Sequence, residues 1–392
     1  MTILPDYIGP CAFGLKMGVI TPGCELVNMV AEIIGKCNQD NLLDDGDVVC
    51  ITESIVARAQ DNFVTTDDIA RELKKRYGVK EDSKLGVLFP ITSRNRFALI
   101  LKGIARAVPR GEVIVQFSYP CDEVGNQIIA PEEVNSSDTE KIDVCVHIEG
   151  KCVHPITNMN YPAYYKEIIE NEGGRAKIYL SNEPQMIAGF NPDCVIVSNV
   201  HERKNTWKII HKHVPRCITL QDICNDSSLP AWSEWGLLGS NMSSNNMLNL
   251  APRNGDEYAQ EVQKKIKERL DKEVEVLIYG DGAYRDPTSG IYELADPQPS
   301  FGTTIGFKGR MREGIKYKYL ADMAHSEGKS VSEIEEMLTS HRQKSFKQTE
   351  MVTEGTTPRK MEDIIASLAD LVSGSADAGT PVVLVKGFFN ER

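Results

Sequence analysis

The residues best suited to chemistry lie where a β-branched run, Val274 to Ile278, stops at a loop of glycine and acid, YGDGAYRDP. Gly280 and Gly282 bracket Asp281, and a backbone without Cβ lets a bulky anion come close. Asp286, Glu293 and Asp296 follow, a density of hard oxygen donors that suits Mg²⁺ or Mn²⁺. The chemistry would be metal-assisted handling of a phosphorylated ligand, although an acidic surface loop punctuated by turns reads the same way. A second apolar run, EVIVQFSY, delivers Asp122 and Glu123 ahead of Gly125 and Asn126. Two strand ends bearing carboxylates suit a metal site assembled in three dimensions.

Three further stretches offer groups for an anion. After the strand Val48 to Thr52 come Glu53 and Ser54, with Arg58 beyond them, so that hydroxyl, amides and guanidinium could surround a phosphate. A capped helix start with a solvated arginine is the alternative there. Near the end of the chain GSADAG, with Gly374, Ser375 and Gly379, joins a helix to a strand with small residues that could form an anion nest. His201, Arg203 and Lys204 stand together at a strand end, where they could hold a substrate carboxylate or phosphate. Zinc is not expected, because His211 and His213 would point to different sides of a helix.

The elements that must position these groups divide the chain. With 392 residues, 41% hydrophobic and 26% charged, it reads as a soluble globular protein of two domains, or one with a large insertion. A net charge of -12 excludes a nucleic-acid surface, which needs clustered cations. Apolar runs are too short to span a membrane and Met1 to Pro10 lacks a signal peptide's basic start, so a cytoplasmic protein without membrane contact is expected. The ten cysteines form no CxxC pair, and several lie in apolar runs, as Cys50 and Cys145 do; they read as reduced buried thiols. Leu26, Met29, Val30, Ile33 and Ile34 keep a helical period, and RFALILKGIARAV and EVIVQFSY read as two adjacent strands split at Pro109 to Gly111. From Lys151 to about Asp256 strands and helices alternate as a small βαβ layer. The stretch 228 to 255, rich in Ser, Asn and Gly, reads as a linker whose Trp232 and Trp235 pack at an interface.

In this order the motifs resemble the γ-glutamyl ligases that act on the deazaflavin coenzyme, factor 420. GVITPGCEL resembles that family's opening loop, DGDVVCITESIVAR its strand and phosphate element, and DEVGN its metal and guanine loop. DGAYRDP resembles the loop with the second metal aspartate, and GSADAGTPVVLVKG the glycine-rich ending. Arg58 stands where the family has lysine, Gly282 where it has threonine, and the loop at Asp122 is one residue longer.

The resemblance implies an α+β fold: a mixed-sheet ligase-like core from 1–150 and 256–392, carrying an inserted βαβ subdomain at 151–255. It implies a GTP- or ATP-dependent amide ligase, using Mg²⁺ or Mn²⁺, that joins a small-molecule carboxylate to L-glutamate or another amine through an acyl phosphate. Asp281, Asp122 and, as a third candidate, Glu123 would hold metal, with Asp122, Asp281 and Arg285 at the transferred group. Gly18, Val19, Ile20, Glu53, Ser54, Arg58, Asn126, Gly282, Gly374, Ser375 and Gly379 would bind nucleotide. His201, Arg203 and Lys204 would bind the acceptor. A homodimer is the expected assembly. A phosphotransferase, or a non-catalytic nucleotide sensor, is the rival reading.

Overall fold

A computed structural model describes residues 5, 7–92, 96–129, 142–143, 152–280, 284–285, 292–293, 297–312, 314–341, 350–373 and 379–389. Two large sheets organise the chain, and the fold is α+β as the sequence leads one to expect.

The first sheet has the order β1-β18-β2-β12-β15, from β1 (Cys11–Leu15), β2 (Val48–Thr52), β12 (Glu275–Tyr279), β15 (Ser300–Thr303) and β18 (Val382–Lys386). β2 and β12 run parallel, while β18 is antiparallel to both β1 and β2. Strand alternation sends successive side chains to opposite faces. Val49, Ile51, Val276, Ile278, Val382 and Leu384 pack beneath α1 (Leu26–Gln39) and a long helix, Gly255–Leu270, through Val30, Ile34, Val262 and Ile266. Val48, Cys50, Leu277, Tyr279, Val383 and Val385 face Ile365, Ala366 and Ala369 of the helix Met361–Ser373. Lys386 is only 2% exposed. It donates to Leu42 O at 2.8 Å, to Asp44 at 3.0 Å and to the buried Asp47, tying the last strand to the turn before β2.

The second sheet has the order β6-β7-β5-β4-β8-β9, from β4 (Lys84–Leu88), β5 (Glu112–Phe117), β6 (Ile142–Asp143), β7 (Arg175–Leu180), β8 (Cys194–Val197) and β9 (Cys217–Thr219). All neighbours are parallel except β6 with β7. The βαβ layer is therefore present, but it takes β4 and β5 from before residue 150, and the expected boundary runs through the sheet. The reason is Ala98–Ala107, a helix and not the expected strand. Ile100, Leu101, Gly103, Ile104 and Ala105 are buried while Leu99, Lys102 and Arg106 line one less buried face at helical spacing, a period that reading the Leu- and Ile-rich run as a strand passes over. As a helix it is the crossover that parallel β4 and β5 require.

The stretch expected to be a linker is ordered and pairs. β10 (Asn241–Ser244) and β11 (Met247–Asn249) form a hairpin joined to β3 (Phe63–Thr65). Trp235 packs against the cores of both large sheets and meets the Phe301 ring edge-on at 6.0 Å, as expected of an interface residue. Two short ladders complete the strands: β13 (Tyr284–Arg285) with β14 (Tyr292–Glu293), and β16 (Met311–Arg312) with β17 (Arg359–Lys360).

Candidate functional site

The carboxyl ends of β1, β2 and β12 share one edge of the first sheet with the starts of β15 and β18. Gly18, Val19 and Ile20 follow β1, Glu53 and Ser54 follow β2, Gly280 follows β12, and Gly379 precedes β18. Backbone bonds close this edge: Met17 N donates to Gly379 O at 2.9 Å, Thr52 N to Pro381 O at 3.0 Å, and Gly280 N to Pro299 O at 2.9 Å. Arg58 Nε donates to Ile20 O at 2.8 Å, so the arginine fastens the 18–20 strap to the helix Glu53–Ala59. Gly379 has φ +64, a conformation open to glycine at little cost. A Cβ on Gly280 would lie 2.4 Å from the Phe301 ring; without one, β12 can end tightly against β15.

The register sets Tyr279 beside Thr52, so the next residues along the two strands, Gly280 and Glu53, leave from neighbouring strand ends. Glu53 is 7% exposed and accepts from Asn241 Nδ2 at 3.0 Å. Asn241 Oδ1 in turn accepts from Arg96 at 3.1 Å. Asn249, opposite Asn241 in the hairpin, donates to Ser54 O at 3.2 Å. Its Oδ1 is buried and has no partner among the described residues. The hairpin is thus a third wall of the edge, and Asn241, Asn249 and Arg96 are the residues the sequence reading missed. A run of Ser, Asn and Gly signals a turn; only the strand pairing with β3 reveals what it faces.

Asp281, Gly282, Gly374 and Ser375 lie outside the described residues, as does the Arg285 side chain. Of the expected metal set this leaves Asp122 and Glu123, and the structure puts both at the second sheet, past β5. Asp122 and His154 side chains are 0% exposed and 2.9 Å apart. Asp122 Oδ1 accepts from Val124 N at 3.0 Å and Asn126 N at 2.8 Å, and Oδ2 accepts from Asn126 Nδ2 at 2.8 Å. His154 Nδ1 accepts from the amides of Ile156 and Thr157 at 3.3 and 3.1 Å. The ring proton therefore sits on Nε2 and is donated to Asp122, giving that carboxylate four donors and closing its own loop. Asn126 is held by the same carboxylate. Glu123 accepts from Thr92 N at 3.1 Å. Among the described residues no three of His, Cys, Asp and Glu gather as a metal site.

The second sheet's edge nevertheless reaches the first. The loop after β4 holds Glu123 through Thr92 and Asn241 through Arg96. Arg203 donates to Gln221 Oε1 at 3.0 Å and to Val200 O, so it binds its own loop together, while His201 and Lys204 are exposed.

The family signature described as F420-0:Gamma-glutamyl ligase matches residues 14–387. Among curated proteins none matches. Among solved structures the chain is similar to a universal stress protein from Archaeoglobus fulgidus, at 12% identity over 37% of this chain and 97% of that one, with a TM-score of 0.21; a likeness that low carries no argument. No helix among the described residues is long and apolar enough to cross a membrane.

Proposed function

The chain belongs to the F420-0:gamma-glutamyl ligase family, and from that premise we propose that it is a nucleotide-dependent amide ligase working at the carboxyl edge of the first sheet. What supports this reading is one convergence: the 18–20 strap, Glu53, Ser54, Gly379 and the end of β12 that leads into Asp281 meet on that edge. In the reaction a carboxylate oxygen of the acceptor attacks the γ-phosphorus of GTP or ATP. The bond to the β-phosphate oxygen breaks, and the nucleoside diphosphate leaves. The amine of L-glutamate, or of another amine, then attacks the acyl carbon. Phosphate departs with the C–O bond pair, and the nitrogen's proton goes to water.

Such chemistry asks the protein for placement and charge more than for covalent help. The strap and Gly379, just before β18, would offer amides to the phosphates, and Arg58 holds the strap in register. Mg²⁺ or Mn²⁺, when bound, would offset phosphate charge; the donor set that fits is Glu53, a buried carboxylate at the strand end beside the one leading to Asp281, together with Asp281 itself. Asn241 orients Glu53, and Asn249 keeps one buried amide oxygen for a ligand's N–H or O–H. Arg285, four residues past Asp281, is the candidate near the transferred group. The acceptor would enter from the side of the second sheet, over the loop that carries Thr92 and Arg96.

The test is incubation with GTP or ATP, Mg²⁺ or Mn²⁺, L-glutamate and a metabolite extract, with product masses read for a gain of one glutamyl unit. Asp281→Asn and Glu53→Gln should each abolish that gain while the thermal midpoint holds. A gain of phosphate alone would make the protein a phosphotransferase, and nucleotide binding with no new mass a sensor.

A further inference from the structure

At the pole of the first sheet opposite the ligase edge, past the amino ends of β2 and β12, a small ladder carries charge that the fold leaves unanswered. β16 and β17 pair only with each other among the described residues. Arg312 stands directly opposite Arg359, and Met361 N donates to Arg310 O at 3.1 Å, which carries the ladder one residue further. Alternation puts Arg310 and Arg312 on one face, and Arg359, across from Arg312, joins them there. Like charges directly opposite weaken a sheet. Yet all three arginines are exposed and none has an ion pair among the described residues, whereas Lys360, on the other face, has Glu362 at 3.9 Å. In a chain of net charge -12 this face is a local positive field.

The guanidinium groups are held ready. Arg310 lies over the Phe389 ring, 4.5 Å from its centroid, and Arg312 over Phe388 at 5.6 Å. Both rings pack on the first sheet's core, and Phe389 meets the buried Phe307 edge-on at 4.9 Å. A stacked guanidinium keeps its N–H donors at its rim, where a carboxylate takes them two at a time. Because the Met361 amide reaches Arg310 O, the next residue, Met311, turns its own N–H and C=O away from β17. That outer edge has no neighbouring strand among the described residues, and Met311 is 50% exposed. A strand added there would set every second residue beside Arg310 and Arg312, since alternate residues repeat at about 7 Å along any strand.

We infer that β16 is a docking edge for an extended acidic segment of a partner protein, its backbone paired with Met311 and its carboxylates, at every second residue, meeting Arg310 and Arg312. Nucleic acid and anionic lipid carry suitable charge but have no peptide groups for the Met311 edge, and the chain's net negative charge repels their dense phosphates. The ladder lies at the far end of the first sheet from the ligase edge, so its role does not depend on the ligase reading.

The experiment is fluorescence-anisotropy titration of the full chain with a labelled octapeptide of alternating glutamate and threonine. The controls are an octapeptide of the same composition with its glutamates in one block, octauridylate, and vesicles of equal phosphatidylcholine and phosphatidylserine. The alternating peptide should bind saturably, and about tenfold or more tightly than the block peptide. Arg310→Gln and Arg312→Gln should each weaken it about tenfold or more. Met311→Pro removes the edge amide and no charge, and should weaken the alternating peptide as well. A thermal midpoint equal to the parent's shows that a variant is folded, and the two arginine variants carry the test if Met311→Pro is not. The inference is overturned if the alternating peptide does not bind, if the block peptide, octauridylate or the vesicles bind as tightly, or if the folded variants bind as the parent does. Self-association of the chain that Arg312→Gln abolishes would also overturn it, by giving the edge to a second copy.

Discussion

At Asp122 a carboxylate that looked free for chemistry is spent on structure. Four donors fill it, one of them His154 from beyond residue 151, and removing an acceptor from buried donors costs about 1–3 kcal/mol for each group left unmet. Asp122→Ala should therefore lower the urea midpoint sharply and leave nucleotide affinity unchanged in the molecules still folded; the reverse outcome would return Asp122 to the catalytic set. The sequence could not separate the two roles, because a self-closing turn and a metal loop both ask for an acid followed by glycine and asparagine. Arg58 was easier to read as a residue that matters, and harder to read as a tether. Its Nε bond to Ile20 O predicts that Arg58→Lys, which keeps charge but loses the fork, weakens nucleotide binding less than Arg58→Ala. Equal, unchanged affinity in both variants would make the tether idle.

Among elements, those whose residue types match their backbone were legible, and a helix built on Leu and Ile was not. β2, β12 and β18 announced themselves through β-branched runs bounded by turns. Ala98–Ala107 did not, and misreading it hid the crossover that assigns β4 and β5 to the second sheet. The hairpin β10–β11 was hidden differently, since its edge strand β10 is polar and its central strand β11 is only three residues long, too little to carry an apolar alternation. Close packing at the end of β12 was also invisible in sequence. A Cβ on Gly302 would lie 2.3 Å from the backbone of Gly255, so Gly302→Ala should destabilise the fold by about 3 kcal/mol or more, measured by urea titration; a neutral result would mean that the helix Gly255–Leu270 is not seated on β15. Thiols report on the same layers. Burial pushes Cys194 and Cys217 up to about 12, so at mildly alkaline pH iodoacetamide should label the partly exposed Cys24 and Cys121 well before either.

For the molecule as a whole, the first sheet is fastened by its last strand, which lies inside the sheet between β1 and β2. Lys386, inside β18, carries the positive charge for Asp44 and Asp47, and breaking a buried pair by removing one partner costs about 3–5 kcal/mol. Lys386→Met should fall in that range, and restoring an apolar match with Asp47→Leu should recover part of it. Burial already raises the pKa of Asp47 above its ordinary value, with Lys386 pulling it back. A carboxyl whose folded pKa lies above its unfolded one binds its proton more tightly in the folded state, so the stability of Lys386→Met should rise as the pH falls from about 7 toward 5. A midpoint that drops over that window would contradict the burial of Asp47. The position of β18 between β1 and β2 also orders events in time as the chain leaves the ribosome. The second sheet is spelled out by residues 84–219 and can close while translation is still under way. The first sheet must wait for residues 382–386, holding β1 and β2 apart with their edges open until β18 has been made. A nascent chain stalled before Val382 should thus expose a split, sticky half-sheet beside a finished neighbour, which is the state a chaperone would meet.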